Sequence, residues 1–185
     1  MIIKSNTLKA ALLFVPSKEI RYYLKSVCLS QGEQGSFLAA TDGSALFVSQ
    51  VCKEPMPESQ TLIPPNLANA ALKGATTYIN LEVTPIQDKT TKMVKLGAMT
   101  QESVDGLFPD WRRITRMTGN ICSPQFNSQY VATIYKAGKL LTKNTVFVNP
   151  QPGIGVAVLD ETSAVWLMPL AEKFVEKTFN LPGWL

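Results

Sequence analysis

The chain has 185 residues, 45% hydrophobic and 17% charged, a composition that excludes disordered and coiled-coil classes and allows one full domain with room for a second small one. Histidine is absent, which removes histidine triads, histidine general bases and the common histidine-bearing zinc motifs, so neither catalysis nor a metal or cofactor is expected. Eighteen Lys and Arg against fourteen Asp and Glu leave a formal +4, a mild excess compatible with a polyanionic partner without demanding one.

In chain order, the polar Ser5-Asn6-Thr7 stretch can cap a helix, and Leu8, Ala11, Leu12 and Val15 follow the i, i+3, i+4, i+7 rule of a short amphipathic one. The apolar run from Ala10 to Val15 is shorter than a signal-peptide core, and no run approaches the ~18 apolar residues of a membrane span. A soluble, unexported protein with no membrane partner is expected. Strand-like runs follow at Tyr22 to Leu29, Phe37 to Ala40 and Leu46 to Val51, the last two joined by Thr41-Asp42-Gly43-Ser44, whose Asp-Gly pair suits a tight hairpin.

Pro64-Pro65-Asn66 opens a second helix through Leu67, Ala70 and Ala71, and Gly74 stands where a C-terminal stop belongs. Strands are expected at Tyr78 to Val83, Met93 to Leu96 and near Glu102. Phe126-Asn127-Ser128 leads into a third helix marked by Val131, Ile134 and Tyr135, followed by Thr145 to Val148, Val156 to Leu159 and Ala164 to Met168. Leu8, Leu67 and Val131 recur about sixty residues apart, each helix followed by three strands, which is a threefold internal repeat. Hairpin-joined strands with helices on one face predict an α+β layering. The helices carry Lys9, Lys73, Lys136 and Lys139 and no acid. Ordinary solvated lysines account for this; the sharper reading is three cationic faces lining one surface that neutralises phosphates without reading sequence. Cys28, Cys52 and Cys122 are odd in number and widely spaced, so no disulfide framework is expected and a reducing cytoplasm is the simplest setting.

Four segments carry a family resemblance. Ile20-Arg21-Tyr22-Tyr23-Leu24 with Ala40-Thr41-Asp42-Gly43, then Leu107-Phe108-Pro109-Asp110-Trp111-Arg112-Arg113-Ile114, then Phe126-Asn127-Ser128-Gln129-Tyr130-Val131, and last Val165-Trp166-Leu167-Met168-Pro169-Leu170 resemble, in the same order, segments of the bacterial DNA polymerase III beta subunit, the sliding-clamp family. The resemblance implies a DNA-clamp fold with antiparallel sheets outside and short helices inside. It implies a middle-type clamp domain at residues 1–116, half of a third-type domain at 117–170, and an extension at 171–185. Ser44-Ala45 and Ala171 depart from the family pattern by losing polar side chains, which bears on partner specificity.

Residue by residue, the resemblance implies a hydrophobic peptide pocket with Leu24, Thr41, Gly43, Leu46, Pro109, Arg113 and Ile114 on one wall. The other wall comprises Asn127, Tyr130, Gly155, Val156, Leu167, Met168, Pro169 and Leu170. Plain strand core is the alternative for the apolar members. A pocket of Leu, Ile, Met and Pro with a few polar groups suits short linear peptides of polymerases and clamp loaders. Arg21, Tyr22 and Tyr23 resemble a loop that touches DNA, joining Lys9, Lys73, Lys136 and Lys139 as DNA contacts; a strand start with alternating burial is the alternative. The implied function is a processivity factor encircling duplex DNA, with a clamp-derived peptide-binding adaptor or decoy that does not encircle DNA as the alternative. An enzyme built on Asp105 with Asp110, or Asp160 with Glu161, has nothing to bring those acids together. Rings of this family hold about twelve helix-plus-strands units, so three per chain imply four copies closing head to tail, with a dimer as runner-up. In the extension, Phe179-Asn180-Leu181-Pro182-Gly183-Trp184-Leu185 either imitates the pocket's ligands or packs on the sheet.

Overall fold

The first strand, β1 (Ile2–Lys4), runs directly into α1 (Ser5–Leu12). The computed structural model describes residues 1–116, 125–142 and 154–170, with the backbone of 148–151. Cys122, the strand run from Thr145 to Phe147 and the extension from Ala171 lie outside the described residues. The expected cap on α1 is corrected: Lys4 holds the N-cap position and no side chain bonds the first turn. Ser5 is buried inside the helix, its N–H donating to Thr77 O (2.9 Å) and its Oγ to Thr76 O (2.7 Å). A strand that becomes a helix without a loop leaves no separate capping residue, so a neighbouring loop supplies the acceptors.

A three-strand meander follows in β2 (Val27–Gly32), β3 (Gly35–Thr41) and β4 (Ala45–Cys52). The strand expected from Tyr22 starts later, because Tyr22–Leu24 is a 3-10 turn held by Leu24 N–H on Arg21 O (2.9 Å) and Ser26 Oγ on Tyr23 O (2.6 Å). Gly35 turns the β2–β3 hairpin at φ +104, where a Cβ would stand 2.2 Å from Cys52 O; only glycine fits. The second unit comprises β5 (Ser59–Ile63), α2 (Pro65–Lys73), β6 (Tyr78–Pro85), β7 (Lys92–Leu96) and β8 (Met99–Glu102). Pro65 opens α2 as expected, and Gly74 ends it at φ −102 without a left-handed turn. A connector carrying α3 (Trp111–Thr115) leads to α4 (Ser128–Leu141), β9 (Val148–Gln151), β10 (Ile154–Val158) and β11 (Ser163–Leu167).

The repeat is therefore strand-helix-three strands in the first two units, and the leading strands are exchanged. β1 pairs with β6, while β5 pairs with β2. Each unit completes the other's sheet. The resulting sheets run β1-β6-β7-β8 and β5-β2-β3-β4-β11-β10-β9, and the second crosses from the first unit into the third through antiparallel β4 and β11.

Burial patterns follow from what covers each sheet. β2, β3 and the first five residues of β4 are buried almost continuously, as expected of strands covered on both faces. One face carries Val27, Leu29, Leu38 and Phe47 beneath Leu8, Leu67 and Ile134 of the helices, with Phe14, just past α1, stacked on Phe47 at 5.6 Å. The other carries Leu24, Cys28, Leu46, Val48 and Leu62 beneath Phe108 and Trp111 of the connector. β6 alternates exposed and buried residues from Tyr78 to Glu82, the signature of a sheet with one wet face.

Cys28 lies in the connector-side layer, and burial pushes its thiol up to about 12. A thiolate is the reactive form, so Cys28 is expected to resist alkylation at pH 8 in the folded protein and to react on unfolding. Labelling of Cys28 in the native chain, read by peptide mass, would contradict this layering.

Candidate functional site: a cationic helix face and a connector-side surface

The helices share the inner side of both sheets. α1 contacts α2 and α4, and Asn6 Nδ2 donates to Leu140 O (2.8 Å), fastening the first unit's helix to the third's. Alanines on α1 and α2 keep these helices close to the sheets, which turns their longer polar residues outward. Lys9, Lys73, Lys136 and Lys139 are all exposed, and α1, α2 and α4 hold no Asp or Glu. The ion pairs found among the described residues, Arg21–Glu19, Lys89–Glu102 and Lys95–Glu82, lie off these helices. Lys139 rests over the Tyr135 ring with Nζ 4.7 Å from its centroid, which leaves its charge in solvent.

Of the remaining expected DNA contacts, Tyr23 does not join this face. Arg21 precedes the 3-10 turn, and Tyr23 packs on the connector-side layer, across the sheet from the lysines. Arg21 is engaged by Glu19, whose carboxylate accepts from Nε (3.0 Å), Nη2 (3.0 Å) and the backbone N–H of Arg21. Those bonds hold the Glu19 carboxyl down to about 2, so the pair survives through neutral pH and a phosphate would have to displace it. Tyr22 is exposed but leans on the connector, where a Cβ on Gly106 would meet its ring at 3.6 Å.

Many of the residues assigned to the pocket gather around the β3–β4 turn. Asp42 Oδ1 accepts from Ser44 and Ala45 N–H (2.8 and 3.0 Å), Thr41 Oγ1 donates to Ala45 O (2.7 Å), and Gly43 N–H donates back to Thr41 Oγ1 (3.0 Å). Gly43 sits at φ +95 with Arg21 Nη2 3.3 Å from where a Cβ would be. The third unit closes on this turn from two directions. Tyr130 of α4 donates its hydroxyl to Asp42 Oδ2 (2.6 Å), and Met168 N–H donates to Ser44 O (2.8 Å). Burial, then the Asp42 carboxylate, raises the Tyr130 pKa above its ordinary value, which keeps it a donor.

Side-chain directions then sort the set. Leu24 and Leu46 are fully buried in the connector-side layer, with Ile114 packed against it. Met168 is 38% exposed, and Val156, Pro169 and Leu170 are half-buried beside it. Pro109 is half-buried on the connector and Arg113 is exposed there. Thr41 and Asn127 are occupied structurally, Asn127 capping α4 through its carbonyl on Gln129 N–H (2.9 Å). Leu167 departs from its assignment: it belongs to the helix-side core, and Gly155 stands directly opposite it on the same face. Met168, the residue after β11, is instead exposed. The residue missed is Trp166, which lies opposite Leu46 and Val156 and packs on the connector-side layer. Its alternation with Val165 and Leu167 along one strand was the available signal.

No protein-family model and no curated protein sequence matches the chain. Solved structures do match in fold. A Helicobacter pylori beta clamp in complex with 3,4-difluorobenzamide aligns with a TM-score of 0.68 at 10% identity, over 92% of this chain and 66% of that one. A Helicobacter pylori beta clamp bound to a DNA ligase peptide aligns at 0.67 and 11%, over 92% and 65%. The DNA polymerase III subunit beta from Pseudomonas aeruginosa aligns at 0.64 and 13%, over 92% and 66%. The chain thus has the clamp fold and spans just under two thirds of the length of these chains.

The geometry separates two substitutions that look alike in sequence. Leu46, 2% exposed, should cost about 2–5 kcal/mol on truncation to Ala. Met168→Glu should leave stability within about 0.5 kcal/mol of the original. Urea denaturation of both variants checks this; equal losses would mean that Met168 is core.

Proposed function

We propose that the chain is a sliding-clamp-like processivity factor that encircles duplex DNA without sequence specificity, performs no chemistry of its own, and works in the cytoplasm. The observation that carries the reading is the acid-free helix layer with its four exposed lysines. Mobile cations facing the duplex neutralise phosphates with no base readout, which favours sliding over site recognition. Residues 1–116 act as one clamp domain and 117–170 as half of another. Four copies then supply the about twelve units of a closed ring.

The connector-side surface is the proposed docking place for partner peptides of polymerase and clamp-loader type. Trp166, Met168, Val156 and Ile114 offer an apolar platform, with exposed Arg113 nearby for a peptide's acidic group. The Helicobacter pylori clamp bound to a DNA ligase peptide supports a peptide partner on this fold. The engagement of Arg21 by Glu19, which occupies one of the expected DNA contacts, favours one alternative, a clamp-derived adaptor that binds peptides without encircling DNA.

Retention on closed circular DNA, with release on linearisation, separates the two: encircling requires both, and the adaptor shows neither. Changing Lys9, Lys73, Lys136 and Lys139 together to Glu should abolish retention and lower the log-log salt slope of binding by roughly 0.9 for each phosphate no longer neutralised. An unchanged slope would remove the helix face from the account. Met168→Glu should weaken an apolar peptide at least tenfold while retention on circles persists, measured by fluorescence anisotropy.

A further inference from the structure

The described edges of the two sheets are not alike. The outer edge of β5 is bridged by the connector, where Val104 N–H donates to Leu62 O (2.9 Å), β9 at the far edge of the same sheet carries Pro150, and β1 is only three residues long. Among the described residues, β8 has β7 on one side and no strand on the other. Its sequence, Met99-Thr100-Gln101-Glu102, has no proline or lysine, and its single charge is already engaged: the Glu102 carboxylate accepts from Lys89 Nζ (3.1 Å) and from Thr91 Oγ1. Edges left open are usually guarded by lysine, proline or a bulge. This one is unguarded.

The chain contains its own example of how such an edge is used. β4 closes the first unit, β11 closes the third, and these two last strands pair antiparallel. Phe47, the third residue of β4, lies opposite Val165, the third residue of β11. The junction is thus a local two-fold between equivalent strands, with α1 and α4 side by side beneath it. β8 closes the second unit and is the equivalent strand left over. Its third residue is Gln101, paired with buried Val94 and so on the helix-facing side, as Phe47 and Val165 are. The helix layer is open at the same place: a cavity of about 640 Å³ lies between α2 and the β7–β8 turn, lined by Ala70, Ala71, Lys73, Ile79 and Met99 among others.

We propose that β8 pairs antiparallel with β8 of a second copy about a two-fold axis, Gln101 of one copy opposite Gln101 of the other. The occupant is a second copy because the internal junction joins last strand to last strand, and β8 is the last strand left unpaired among the described residues. The backbone pattern agrees. Ser103 N–H bonds to Lys92 O (2.7 Å), so by antiparallel alternation Gln101 bonds to Val94, while Thr100 and Glu102 turn their N–H and C=O groups to the open edge. In the proposed register Thr100 meets Glu102 of the other copy as a hydrogen-bonded pair, and the two Gln101 form the closer, non-hydrogen-bonded pair. An eight-strand sheet results, and the two α2 helices become neighbours over the present cavity. A two-fold contact replaces the head-to-tail contact expected from the unit count. Four copies still supply the same ring if the other ends also close about a two-fold. The inference does not rest on the DNA reading.

Two variants of the full chain test it. Gln101→Cys, in a Cys52→Ser, Cys122→Ser background that leaves buried Cys28 in place, puts two thiols in a pair whose Cα atoms lie about 4.5 Å apart, within disulfide reach. Mild oxidation should give a covalent dimer, and the background chain none. Thr100→Pro removes an N–H that bonds nothing within the chain, as an edge strand tolerates. It should weaken self-association at least tenfold by analytical ultracentrifugation, with thermal unfolding close to the original. No covalent dimer of Gln101→Cys, unchanged association of Thr100→Pro, or a strictly monomeric original chain at micromolar concentration would each overturn the proposal. No DNA enters the assay, so its failure and that of the processivity reading stay distinguishable.

Discussion

The ladder between β4 and β11 is the contact on which the rest of the molecule depends. It carries the sheet from the first unit into the third, over Ser163–Ser49 to Leu167–Ala45, and its buried Ser163 Oγ to Ser49 Oγ bond (2.9 Å) satisfies two hydroxyls that would otherwise be costly inside. The third unit brings no leading strand of its own among the described residues. Its position is set by this ladder, by Asn6 on α4 and by Tyr130 on Asp42. All three join residues far apart in the chain, and together they seat α4 beside α1 and β11 beside the β3–β4 turn. Both candidate surfaces are assembled by the same seating.

The two surfaces divide the chemistry by face. On the helix side, short alanine-rich helices fill the gap above the sheets and leave lysines as the projecting groups, with their counter-charges confined to strands and loops. Such a face attracts polyanions at long range and loses that attraction as salt shortens the Debye length. On the connector side, Arg112 lies with its guanidinium carbon 4.4 Å from the Trp111 ring centroid and donates to Ser30 Oγ (3.1 Å). That arginine is structural: it fastens the connector across the sheet. The connector in turn keeps β2 to β4 dry on their second face, which is why those strands are so continuously apolar.

Much of this was legible in the sequence, for a local reason. Helix periodicity, Pro65 and Asn127 at helix starts and the Asp42-Gly43 turn are short-range signals, and the helices, the hairpins and the threefold repeat followed from them. The leading strands β1 and β5 were missed because three to five residues carry no readable period, and because the strand that pairs with each lies in the other unit. The motif resemblance located the β3–β4 turn, the connector and β11, yet it could not assign faces. It grouped Leu167, which packs in the helix-side core, with Met168 and passed over Trp166, which packs on the connector-side layer.

The sequence by itself determined which segments become helix or strand, that no acid sits on the helices, and that the repeat is threefold, because these depend on residue type and spacing within one turn or one hairpin. Only the tertiary structure decided that the leading strands are exchanged, that Arg21 belongs to Glu19 beside the β3–β4 turn, and that β8 ends its sheet on an edge with neither proline nor lysine. Those outcomes depend on which strand of several equivalent ones pairs with which. Backbone hydrogen bonds are nearly blind to side-chain identity, so that choice is made by how whole faces pack and not by any local run of residues.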